Sequence, residues 1–105
     1  ALTPDYDLLS LKDPPMRILF LIARQFRLLA QVKECKKKGY DNKTIAGKTG
    51  LRDFLVGKYA SQASRFEMDG LYGALRACVE AEERVKTGKM NDVMSVELLL
   101  VEYSQ

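Results

Sequence analysis

Apolar residues recur at helical spacing along most of the chain, and the polar, proline and glycine positions between them mark five helices. Asp13 ahead of Pro14 and Pro15 predicts a capped helix start with proline in the first turn. The pattern then runs to about Lys37, and Gly39 is a fitting stop. Asp41 opens a short helix through about Lys48, ending at Gly50, and a third helix covers about Arg52 to Ser64. A fourth begins near Glu67 and ends at Thr87-Gly88, with Gly70 and Gly73 lowering helix propensity at its opening. Asn91 or Asp92 caps a fifth, which carries Leu98, Leu99, Leu100 and Val101. No stretch alternates with period two between turn signals, so strands are not expected. Short connections predict an all-α, compact five-helix bundle. Residues 1–12, with Pro4 and mixed polarity, read as a lead-in segment from an upstream domain, and residues 13–105 as one helical domain. A start at Ala1 rather than Met fits a fragment of something longer.

At about 100° per residue the helix faces separate. In the first helix Leu19, Ile22, Phe26, Leu29 and Ala30 form an apolar arc, widened by Ile18, Leu21, Leu28 and Val32. So wide an arc predicts a central helix buried on two sides. In the fourth, Leu71, Ala74, Leu75, Cys78 and Val85 line one side, and Glu82 falls among them. Phe26, Leu29, Leu75, Cys78 and Leu99 are the predicted core. The first helix also places Phe20 on one face with Arg17, Arg24, Arg27 and Gln31. An apolar centre ringed by arginines has the composition of a protein–protein contact. The other reading is cover by another helix of the same domain.

Composition narrows the chemistry. With 105 residues and 47% apolar content, the chain can form one modest core. A net charge of +3 permits an acidic or nucleic-acid partner without demanding one. There is no histidine, which removes His triads, His metal ligands and the commonest general base near neutral pH. Cys35 and Cys78 cannot form a zinc site alone, and each sits in a helical pattern that suits reduced thiols in a cytoplasmic compartment. Gly47-Lys48-Thr49 is like the tail of a phosphate loop, but Asn42 stands where the leading glycine belongs and no strand precedes it. No uninterrupted apolar run of about 18 residues is present, and no signal-peptide pattern opens the chain. No catalytic, cofactor-binding or metal-binding residue is predicted, and no membrane association.

Three further groups have more than one reading. Glu82 could tie helix four to Arg24 or Arg27 of helix one, act as a catalytic carboxylate, or pair only with Lys86 one turn on. Residues 42–61, NKTIAGKTGLRDFLVGKYAS, have helix-turn-helix spacing, with Ile45, Ala46, Val56 and Tyr59 inward and Gly50 at the turn. That template would offer Arg52, Asp53, Phe54, Gly57 and Lys58 to a DNA groove. It includes one acid, one glycine and no Asn or Gln to pair with adenine, so a packing role competes with a regulator's DNA-binding domain. Lys36, Lys37 and Lys38, in a run with Lys33, Lys43 and Lys48, suit a solvated helix end or weak phosphate contacts.

The strings DPPMRILFLIARQFRLLAQVKE (13–34), NKTIAGKTGL (42–51) and EERVKTGKMND (82–92), the last followed by an apolar tail, closely resemble the C-terminal domain of the bacterial DNA polymerase III delta subunit. The likeness extends from about Tyr6 to the end. Its most specific parts are Arg24 to Arg27 and Glu82 to Gly88. It implies an all-helical collar domain of the clamp loader, packed beside the matching domains of the delta-prime and tau/gamma subunits in a ring of five. It implies a role in DNA replication without ATP hydrolysis or polymerase catalysis by this segment, although the holoenzyme is a DNA-directed DNA polymerase, a transferase. Contact with the sliding clamp would belong to N-terminal domains, and DNA contact here would be weak or indirect. Glu67 departs from the Ser or Thr that usually caps the fourth helix in that family.

Overall fold

The computed structural model describes residues 14–103. The lead-in segment 1–12 and the Asp13 cap lie outside them. The described residues form five α-helices and no strand: α1 (Pro15–Lys37), α2 (Asn42–Thr49), α3 (Asp53–Ala63), α4 (Met68–Lys86) and α5 (Asp92–Tyr103). The fold is all-α, and each boundary that the sequence pattern marks falls within about two residues of its expected place, the usual ambiguity of a helix end.

The helix ends follow from local chemistry. Pro15 opens α1, where a missing N–H costs nothing. Asp41 Oδ1 accepts from the Thr44 N–H at 2.8 Å and caps α2. Gly50 closes α2 at φ 81°, and its N–H donates to Ala46 O at 2.9 Å. That left-handed backbone strains any residue with a Cβ, so the chain turns here at a glycine. Asn91, not Asp92, caps α5: its Oδ1 accepts from the Met94 N–H at 2.8 Å. Arg52 makes no side-chain cap for α3, and Asp53 in the first turn complements the helix dipole instead.

The chain divides into two compact units, one running to Ala23 and resuming at Arg76, the other spanning Arg24–Leu75. In the first, Ile18 and Leu19 from α1, Cys78 and Ala81 from α4, and Val96 and Leu99 from α5 form the core. Ser95 is completely buried, and its hydroxyl donates to Ala81 O at 3.0 Å. That bond gives the hydroxyl a partner, as burial of a polar group requires.

In the second unit, Leu29, Ala30, Ala63 and Leu71 form one cluster. Val32, Ile45, Ala46 and Val56 form another, which seats α2 against α3. Tyr59 borders both and donates its hydroxyl hydrogen to Gln25 Oε1 at 3.1 Å. Phe26 and Leu75 are half-buried, not fully enclosed as the periodicity predicts. Phe26 sits at a cluster margin, where its ring meets Phe66 edge to face with centroids 6.2 Å apart.

Candidate functional site

The α1 backbone fixes the arginine stripe by register. Arg17, Phe20, Arg24, Arg27 and Gln31 recur at spacings of three and four, so they line one side of the helix. All five are exposed, and Phe20 leaves 60% of its surface accessible. The neighbouring residues Ile18, Leu19, Leu28, Leu29 and Val32 are buried. Sequence periodicity could not decide whether Phe20 lay under another helix of the same domain; in the structure it stands in solvent.

Glu82 differs from its inward-facing expectation. Its carboxylate lies 3.4 Å from Lys86 Nζ, and the two side chains are 46% and 65% exposed. This is the local pair one helical turn apart. A solvated carboxylate needs no buried arginine to offset its charge, so the tie to Arg24 or Arg27 loses its physical reason.

The helix-turn-helix pair is built as its spacing predicts. Ile45, Ala46 and Val56 are buried and Tyr59 half-buried, while Arg52, Asp53, Phe54, Gly57 and Lys58 are all exposed. The exposed set presents one carboxylate, two cations and an aromatic ring, with no amide to read adenine.

The basic run is split by local contacts. Lys36, Lys37 and Lys38 are exposed, and Lys36 Nζ donates to Asn42 Oδ1 at 2.9 Å. Lys33 is half-buried and donates to Ala63 O at 3.4 Å. Lys48 Nζ lies 5.2 Å from the Tyr40 ring centre, within cation–π range. Among the described residues no His, Cys, Asp or Glu cluster could hold a metal, and no helix is long and apolar enough to cross a membrane.

Two perturbed groups have plain causes. Hydrogen bonding to Thr44 holds the Asp41 carboxyl below its ordinary value, and burial raises the Cys78 thiol. Both cysteines are free. Sequence reasoning missed the buried serine and the exposed apolar positions Val93, Met94 and Leu98 of α5. A helix apolar on most of its circumference gives no periodic signal for which side faces out.

Among the described residues, five helices, a helix-turn-helix pair packed through Ile45 and Val56, and an exposed arginine–phenylalanine stripe define a small all-α module. The family described as the C-terminal domain of the DNA polymerase III delta subunit matches residues 1–103. The chain is 33% identical over 97 residues, 92% of its length, to the DNA polymerase III subunit delta of Bacillus subtilis (strain 168). The solved structure of the Bacillus subtilis DNA clamp loader delta protein matches 96% of the chain with a TM-score of 0.83 and 33% identity. The chain therefore belongs to the family formed by the C-terminal domains of DNA polymerase III delta subunits. It spans 28% of the length of that curated relative and 30% of the solved chain.

Proposed function

We propose that this chain is the assembly domain of a clamp-loader delta subunit working in DNA replication in the cytoplasm. Its α1 stripe packs against the corresponding domain of a neighbouring subunit, delta-prime or tau/gamma, in a helical collar. Residues 13–105 act as the collar module, and the sliding clamp is engaged by other parts of the full-length protein. The module takes no part in polymerase chemistry, and its contact with DNA is weak or indirect.

The observation that carries this reading is Phe20, 60% exposed in the middle of a polar stripe. A large apolar side chain held in water is a cost that burial against a partner recovers, roughly 1–2 kcal/mol for a phenylalanine with 60% of its surface still to cover. The surrounding arginines suit an interface rim, since Arg and aromatic residues are enriched at protein–protein contacts. The solvated, mixed-charge face of α3 supports a scaffolding use of the helix-turn-helix pair.

The test is reconstitution of the full-length delta subunit with delta-prime and tau/gamma. Phe20→Ser should weaken assembly by roughly tenfold or more, the effect of losing about 1.4 kcal/mol or more at an interface. Unchanged assembly would refute the stripe as the contact. Tight, sequence-selective duplex binding by the domain would refute the assembly reading altogether.

A further inference from the structure

A cavity of about 480 Å³ lies between the C-terminal part of α1 and the corner joining α3 to α4. Lys33, Lys36 and Lys37 line one wall, Ala63 and Met68 supply apolar surface, and Glu67 is the acid present. All belong to the unit Arg24–Leu75. The lysines lie roughly opposite the arginine stripe around α1, at about 100° per residue, so this is a separate surface.

We propose that this cavity is a docking site for an acidic peptide segment of a partner protein, one that carries apolar side chains beside its carboxylates. Charge complementarity comes from three cations spaced i, i+3 and i+4 against one carboxylate. The Lys33 bond to Ala63 O draws its ammonium to the apolar wall, so charge and apolar surface meet at one point. Lys36 donates to Asn42 Oδ1, and Lys37 lines the cavity as an exposed side chain. The cleft is open to solvent, and its volume is enough to seat one or two side chains.

A nucleic-acid strand suits the cavity less well. Among the described residues no aromatic ring lines it to stack a base, and Glu67 would face the phosphates. An apolar floor gives a phosphodiester backbone nothing to bury, whereas it gives a leucine or phenylalanine side chain a place out of water.

The test uses the full-length protein and a fluorescein-labelled peptide, Asp-Glu-Asp-Leu-Glu-Phe, followed by anisotropy. Saturable binding is expected, weakened roughly tenfold by Lys33→Glu with Lys37→Glu, and weakened likewise when the peptide's Leu and Phe become Ser. Lys58→Glu changes an exposed charge outside the cavity and should leave affinity unchanged. Circular dichroism checks that the double variant is folded; if it is not, the exposed Lys37→Glu alone must show the loss. No peptide binding overturns the proposal. So does equal loss in Lys58→Glu or full retention by the all-polar peptide, since either means general charge attraction. An oligothymidylate strand that binds with the same lysine dependence, where the peptide does not, would assign the cavity to nucleic acid and overturn it as well.

Discussion

Replacing Ile45 with alanine asks whether the helix-turn-helix pair is a packed scaffold. Ile45 is fully enclosed with Val32, Ala46 and Val56. The substitution removes three carbon groups, and at about 0.8 kcal/mol per buried CH₂ the transfer loss alone is about 2.4 kcal/mol. Val32 and Val56 are stiff at χ1, so the hole cannot close completely. Residual cavity adds about 24 cal/mol per Å³, which places the total at about 3–4 kcal/mol. The eight-residue α2 is too short to persist without that packing. Phe54→Ala, on the face a DNA reader would use, removes a ring that is 75% exposed and should change stability by no more than about 0.5 kcal/mol. Urea unfolding followed by circular dichroism measures both, with the slope against denaturant unchanged. A cost under about 1 kcal/mol for Ile45→Ala, or an equal cost for Phe54→Ala, would refute the packing account.

Three other outcomes are expected. Ser95→Ala removes the bond to Ala81 O and should cost about 0.5–1.5 kcal/mol in the same urea experiment; a neutral result would mean the hydroxyl adds nothing to the contact between α4 and α5. The Asp41 carboxyl titrates below its ordinary value of 3.8, so its contribution to stability is complete above that pH and is lost as pH falls through the lower folded value. An NMR titration of the Thr44 amide should follow that loss, and Asp41→Asn should abolish the titration while keeping the cap. Cys78, buried and with its thiol raised by that burial, should react with a disulfide reagent at mildly alkaline pH far more slowly than half-buried Cys35; equal rates would mean the first unit opens readily.

Much of the architecture was legible because local chemistry decides it. Gly39, Gly50 and Gly88 all take the left-handed backbone at which helices end, and each marks a stop that the apolar pattern also implies. Ile45 and Val56 are buried where helix-turn-helix spacing places them, since that spacing fixes which sides of two short helices face each other. The site was less legible. Periodicity puts Phe20 on the arginine side of α1 but says nothing of what stands opposite, because cover comes from residues distant in sequence. Glu82 misled for the same reason: an apolar arc on the helix wheel includes its flank, and the flank is open enough for the carboxylate to reach water and Lys86. The lysine-lined cavity needed the fold, since Ala63 and Met68 join Lys33 only when α3 turns into α4.

The most direct measurement replaces Phe20 with a photo-reactive benzoylphenylalanine in the full-length delta subunit and irradiates the assembled clamp loader. A crosslink from position 20 to delta-prime or tau/gamma is expected, absent when the delta subunit is irradiated alone. Assembly that proceeds normally with no intersubunit crosslink from that position would contradict the stripe as the contact.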